Sequence, residues 1–347
     1  MKNITPKKIL IFRSGAIGDV LMTTPLVKSI KKKYPDSKIY YLTGKWSSGV
    51  LRDNPSIDEI MEIDESIIFR KKIFELNKLV ISLRKQKFDV AFILDKSKWF
   101  GLLIKLAGVP IRIGFDRNGE GKFNTKNIKY DGKKHEIDYY LELTKFIGYT
   151  EKNREMEIFT KGMDTIMASK LIDKIKNEGI IIGVSVGGAS NPGQTFIQKR
   201  WPKKNYRELI KKLSESNPVI LIGGKDDFEI SKEVSQGLKN VYNFAGKTTL
   251  KESAELIKKC GIFVTHDSGP MHLAVAVKTP VIGIFGPTDY RRFGYDKGIN
   301  KVVINKNKKC APCYDIYGKN GKNYNYECMK NISAYKVLKI VNKKLGS

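Results

Sequence analysis

The sequence predicts an α/β protein of two doubly wound, Rossmann-like domains, each a parallel sheet flanked by helices. Three observations point to this. The 347 residues exceed a single domain of roughly 150 residues. Short apolar runs alternate along the whole chain with amphipathic stretches of helix length, the rhythm of repeated βα units. That rhythm restarts near Ile180, after a polar stretch around 151–156.

In the first half, strands are expected over Ile9–Phe12, Lys38–Leu42, Glu59–Ile63, Asp89–Leu94 and Ile111–Phe115, with helices over Val20–Lys33, Lys71–Lys87, Ser97–Ala107 and His135–Ile147. In the second half, strands are expected over Ile180–Val186, Val219–Ile222, Ile262–Thr265 and Val281–Phe285. The accompanying helices are Lys203–Glu215, Asp226–Leu238, Leu250–Lys258 and Met271–Val277. The domains are expected to span residues 1–165 and 166–330, followed by a terminal helix in 331–347. Two such domains leave a central cleft, and open α/β sheets bind ligands beyond the carboxyl ends of their strands. The loops after the strands are therefore where chemistry is expected.

Composition narrows the partners. Lysine and arginine number 64 against 36 acidic residues, a formal charge of +28, which favours ligands bearing phosphate or carboxylate. Residues 301–347 contain eleven lysines against Asp315 and Glu327, a composition suited to an anionic membrane face or a phosphorylated substrate, or simply to a solvated surface. No apolar stretch approaches the roughly 20 residues of a spanning helix. The N-terminus reads as a lead-in to the first strand rather than an export signal. Nucleic-acid binding is not expected, because aromatics and arginines do not interleave into a stacking platform and no nucleic-acid motif is present. Four cysteines suit a reducing compartment. Cys310, Cys313 and Cys328 cluster, but no histidine lies in that segment to complete a four-ligand zinc site, so no metal is expected there.

Three loops stand out. Arg13-Ser14-Gly15-Ala16-Ile17-Gly18-Asp19 follows the first strand and precedes a helix; Gly15 and Gly18 allow a tight turn and close approach of a ligand to backbone N–H groups. Its spacing fits neither the dinucleotide fingerprint nor the Walker loop. On local grounds Asp19 reads first as a helix N-cap. The second loop, Thr265-His266-Asp267-Ser268-Gly269-Pro270-Met271-His272, ends a strand and opens a helix, with Pro270 suited to the first turn and Ser268 to the cap. The helix start would offer N–H groups and a positive dipole end to a diphosphate. His272 reads equally as a packed helix residue or as a cleft residue. The third, Gln194 to Pro202, places Thr195, Lys199 and Arg200 where a hydroxyl and cations can offset charge on a leaving phosphate. A G-x-S-x-G match at Gly183–Gly187 is dismissed as a hydrolase elbow, because Ser185 lies within a strand rather than at a strand-to-helix turn.

These loops, in this order, resemble the ADP-heptose:lipopolysaccharide heptosyltransferases of glycosyltransferase family nine. The matching stretches are ILIFRSGAIGDVLMTTPLVKSIKKKYP, KRWPKKNYRELIKKL and VTHDSGPMHLAVAVKTPVIGIFGPTD. The resemblance implies a GT-B fold whose final helix crosses back to the first domain, and an inverting, metal-independent transfer with no cofactor beyond the nucleotide-diphosphate sugar donor. It implies that Asp19 is the general base, that Lys199 and Thr195 stabilise the departing diphosphate, and that Asp267-Ser268-Gly269 seats it. The acid that reaches the nucleotide ribose is Asp226, Asp227 or Glu229, with Glu229 preferred. Implied partners are a nucleotide sugar and an anionic glycolipid acceptor. The implied location is the cytoplasm, at the inner face of the inner membrane. The rivals are a GT-B transferase or epimerase using another nucleotide sugar, and a non-catalytic polyanion or membrane-surface binder on the same scaffold.

Overall fold

The computed structural model describes residues 5–64, 67, 73–175, 179–188, 190–191, 194–305, 311–314 and 327–346. The chain forms two compact units, Met1–Phe159 and Thr160–Ser347. The first unit contains strands β1 (Lys8–Phe12), β2 (Lys38–Gly44), β3 (Glu59–Ile63), β4 (Val90–Ile93), β5 (Ile111–Asp116) and β6 (Lys126–Lys129). Its helices are α1 (Ile17–Leu21), α2 (Thr24–Lys33), α3 (Ile73–Gln86), α4 (Lys98–Leu106) and α5 (Glu136–Glu142). The strands pair in the order β3-β2-β1-β4-β5-β6, all parallel. Ile9, Leu10, Ile11 and Phe12 are fully buried, as expected of a central strand covered on both faces.

The expected helix over 20–33 is instead two helices. Pro25 near the start of α2 has no N–H for a continuing ladder. The hydroxyls of Thr23 and Thr24 donate to the Val20 and Leu21 carbonyls and close the break. Strand β6 has no counterpart among the expected strands. Of its four residues only Ile128 is buried, so this edge strand lacks the apolar run that marks its neighbours.

The second unit opens with helix α6 (Gly162–Ile172) and strands β7 (Ile182–Ser185), β8 (Ser190–Asn191) and β9 (Gln194–Thr195), the last two forming a short antiparallel hairpin. It continues through α7 (Lys203–Leu213), β10 (Val219–Leu221), α8 (Phe228–Ser235), β11 (Val241–Asn243), α9 (Leu250–Lys258) and β12 (Ile262–His266). Helices α10 (Gly269–Ala276), α11 (Tyr290–Phe293), α12 (Glu327–Lys330) and α13 (Ala334–Leu345) follow, with strands β13 (Val281–Phe285) and β14 (Lys301–Ile304). The main sheet runs β11-β10-β7-β12-β13-β14, again parallel. Both units thus have the same doubly wound order, in which direction along the sheet reverses beside the first strand. That reversal lies between β1 and β4 in one unit and between β7 and β12 in the other.

The unit boundary falls at residue 159 rather than 165. Helix α6 packs with α9, and Thr160 Oγ1 donates to Glu255 Oε1 at 2.6 Å. Within the segment expected to cross back to the first domain, α13 buries Ala334, Val337 and Val341 in the core of the second unit, beside Tyr206 and Leu209 of α7. Trp201 anchors its approach, with the buried indole Nε1 donating to the Ile332 carbonyl at 2.8 Å. The tryptophan of the K-R-W-P stretch is therefore a structural pin.

Candidate active site

In the first unit the loop after β1 and the loop after β4 meet at the sheet reversal. Arg13 joins them: Nη2 pairs with Asp19 Oδ1 at 3.0 Å and Nη1 with Asp95 Oδ1 at 2.9 Å. Asp95 in turn accepts from the Ser14 backbone N–H at 2.7 Å and from its hydroxyl at 3.1 Å. Asp19 does not occupy the N-cap position expected locally, because the helix starts two residues before it. It is the third residue of α1, and its Oδ2 accepts from the backbone N–H of the N-cap residue Ala16 at 3.1 Å. Its side chain stays 30% exposed, against 10% for Asp95, so of the two carboxylates Asp19 is the more accessible to a ligand. Burial alone would weaken the Arg13 guanidinium as an acid-bound cation, yet Tyr140, Asp19, Asp95 and Glu136 around it hold its pKa well above the usual arginine range. Gly18 is buried within α1, and Gly15 sits against Ser47, whose hydroxyl donates to the Ser14 carbonyl at 3.3 Å.

The next residue after Asp95 begins a second ion pair. Lys96 Nζ lies 2.8 Å from Glu136 Oε2 and 4.2 Å from the centre of the Tyr130 ring. Tyr130 donates its hydroxyl to Glu136 Oε1. Burial pushes the Lys96 ammonium down, and Glu136 opposes that shift. Asp95, Lys96 and Glu136 carry no motif of their own in the sequence, and Arg13 stands there only as the first residue of its loop. The available signal was an Asp-Lys pair at the end of the apolar run ending in Leu94, where a strand neighbouring β1 delivers its loop.

In the second unit the corresponding reversal brings together Gly187, Gly188, Lys199 and the start of α10. Lys199 Nζ pairs with Asp267 Oδ2 at 3.0 Å; Asp267 is only 6% exposed and Lys199 23%. Burial would raise the Asp267 carboxyl, but Lys199 and His272 outweigh it and hold the group below the usual carboxylate range. The Lys199 ammonium also lies over the stacked rings of Phe196 and Tyr314, at 5.6 and 5.7 Å from their centres. Ser268 has the backbone conformation of an N-cap, but its hydroxyl donates to the His266 carbonyl at 3.1 Å instead of capping α10. The helix start at Gly269 thus has no side-chain cap, which leaves its positive end for an anion. His272 is buried, with Nδ1 2.8 Å from the Tyr295 hydroxyl.

Asp227 fastens two glycine loops. Its Oδ1 accepts from Gly188 N at 2.7 Å and its Oδ2 from Gly224 N at 2.9 Å. A side chain on Gly187 would place its Cβ 2.0 Å from Asp227 Oδ1, so that position admits only glycine without rearrangement. Of the three acids considered for the ribose, Asp227 is thereby committed to backbone, whereas Glu229 is exposed in the first turn of α8. Thr195 lies exposed on the β8–β9 hairpin. Ser185 is fully buried inside β7. Cys328 packs in the core of the second unit, and Cys310 lies outside the described residues.

His266 is fully buried, with Nδ1 2.9 Å from the Tyr206 hydroxyl, and its Nε2 finds no hydrogen-bond partner among the described residues. Burial lowers its pKa to about 3, with Arg200 and Lys199 adding to the depression and Asp267 opposing it. Between about pH 6.5 and that value the unfolded chain binds more protons than the folded one, so stability should fall as pH drops, by up to about 1.4 kcal/mol per unit. Thermal midpoints measured at pH 7, 6 and 5 should decline more steeply for the native chain than for His266→Gln. Parallel curves would assign the acid sensitivity elsewhere.

Residues 76–323 match Glycosyltransferase family 9 (heptosyltransferase). The chain is 25% identical to lipooligosaccharide heptosyltransferase 2 of Campylobacter jejuni, over 97% of this chain and 98% of that protein. The solved structure of E. coli ADP-heptose lps heptosyltransferase II superposes with a TM-score of 0.77 at 25% identity, covering 97% of this chain and 98% of that one. A family 9 glycosyltransferase from Veillonella parvula shares the fold, with a TM-score of 0.81 at 24% identity and 98% of each chain covered. The fold is that of the GT-B enzymes. With well over half of its length matched, the chain belongs to glycosyltransferase family 9, the heptosyltransferase family, and is a glycosyltransferase.

Proposed function

We propose that this protein transfers heptose from ADP-heptose to a lipopolysaccharide core acceptor with inversion at the anomeric carbon. The observation that carries the reading is the family match, joined by an uncapped helix start beside the Lys199–Asp267 pair. In this reading Asp19 takes the proton from the acceptor hydroxyl. The freed oxygen forms a bond to the anomeric carbon as the bond from that carbon to the diphosphate breaks. A single displacement of this kind inverts the sugar. Lys199, Thr195 and the backbone N–H of Gly269 offset the charge gained by the departing diphosphate. Asp267 has the same sign of charge as that ligand, so its part is to hold Lys199 and His272 in place, and Ser268 contributes its backbone at the helix start. Glu229 is the acid proposed for the ribose. The proposed setting is the cytoplasmic face of the inner membrane, where such an acceptor is carried.

The test is product analysis with a panel of nucleotide sugars. ADP-heptose with a core acceptor should yield ADP and heptosylated product in equal amounts, with the new anomeric centre inverted. ADP should also raise the thermal midpoint more than UDP or GDP does, since a ligand at about a hundred times its Kd stabilises the native state by roughly 2.7 kcal/mol. Turnover of a UDP- or GDP-sugar while ADP-heptose stays inert would replace the donor assignment. Epimerisation without acceptor would replace the reaction, and binding without turnover would make the scaffold a binder.

A further inference from the structure

Helices α3 and α4 lie on one face of the first sheet. Their inward sides, including Leu79, Leu83, Leu103 and Ile104, enter a single core cluster with Leu10 and Phe12 of β1. Their outward sides are not those of an ordinary solvated helix. Phe74 is 70% exposed and Ile81 53% on α3; Trp99 is 59% and Leu106 51% exposed on α4. Each pair is seven residues apart, so a helix of 3.6 residues per turn sets both members on one stripe. On α3 that stripe lies opposite Leu83, which is nine residues from Phe74.

Cations surround these apolar groups. Lys78, Arg84, Lys85, Lys98 and Lys105 are exposed on the two helices, which contain a single acid, Glu75, paired with Lys78 at 3.3 Å. At the carboxyl ends of the helices, Arg84, Lys87, Lys105 and Leu106 line an open hollow of about 700 Å³. The Arg84 guanidinium donates to the Leu106 carbonyl at 2.6 Å and ties the two ends together.

We infer that the outward face of α3 and α4 docks on a bilayer rich in anionic phospholipid. Large aromatic and aliphatic side chains interleaved with lysines, on a face nearly free of carboxylates, match the boundary between headgroups and acyl chains. Phe74, Ile81, Trp99 and Leu106 enter that boundary, and the lysines reach the phosphates with their stems lying along it. Trp99 follows Lys96 by three residues, so this face borders the strand ends that position Asp19. The inference goes beyond the proposed reaction and does not depend on the identity of the donor sugar.

The full chain is sedimented with vesicles of phosphatidylcholine alone and of equal parts phosphatidylcholine and phosphatidylglycerol. Binding should favour the anionic vesicles. Phe74→Ser with Trp99→Ser should weaken it about tenfold or more, and Lys78→Glu, Lys85→Glu, Lys98→Glu and Lys105→Glu together should remove the preference for phosphatidylglycerol. Melting curves and turnover of a water-soluble, delipidated acceptor should match the native chain, which separates lost docking from lost folding. Lys343→Glu with Lys344→Glu in α13 serves as the rival surface. Undiminished binding in both α3–α4 variants, or loss of binding only in the α13 variant, overturns the inference.

Discussion

Asp19→Asn is expected to lower kcat by about 10²- to 10⁴-fold, the contribution of a positioned general base, while leaving the fold and the donor KM close to native. The expectation follows from how the carboxylate is held. An asparagine oxygen still accepts from Ala16 N, so the start of α1 keeps its cap. Arg13 keeps Asp95 as a counter-charge, so no buried cation is stranded. What disappears is the ability to take a proton, together with the Arg13–Asp19 ion pair. Steady-state kinetics alongside thermal melts check both halves. A variant that melts like the native chain and turns over at the native rate would remove Asp19 from the chemistry. Asp19→Ala loses the cap as well and should be both inactive and less stable.

Lys199→Ala is expected to cost about 10²- to 10³-fold in kcat, in line with removal of one preorganised group that offsets developing charge. It should also destabilise the second unit, because Asp267 is left as a nearly buried carboxylate deprived of its ion-pair partner. The two effects separate in a double variant. Asp267→Asn in the Lys199→Ala background removes the stranded charge and should recover much of the lost stability while activity stays low. Non-additive melting together with unchanged loss of kcat is the expected signature. Recovery of activity in the double variant would mean that Lys199 matters only as a counter-ion.

The parts of this molecule that were legible in sequence are those written in local pattern. Central strands such as Ile9–Phe12 and Val281–Phe285 are continuous apolar runs, and the loops after β1 and β12 announce themselves by glycines and a proline at a strand-to-helix junction. Of the four edge strands only β3 was legible; β6, β11 and β14 are three or four residues long and mostly not buried, too short for alternation or an apolar run to mark them. Long-range pairing was equally hidden. Arg13 and Asp95 are neighbours only because β1 and β4 are adjacent in the sheet, a fact of topology that no window of sequence contains. Ser268 shows the limit of motif reading at atomic scale. Its position suits a cap, but its hydroxyl turns back to the His266 carbonyl, and the uncapped helix start is the more consequential outcome. Asp227 and Glu229, interchangeable by composition, are told apart only by the backbone groups within reach of each.

One carboxylate gripping the amides of both Gly188 and Gly224 has a thermodynamic corollary. Two loops far apart in sequence are registered with one another by the fold itself. The entropy lost in aligning them belongs to folding and not to association, and an incoming ligand meets a cradle whose walls need no further ordering.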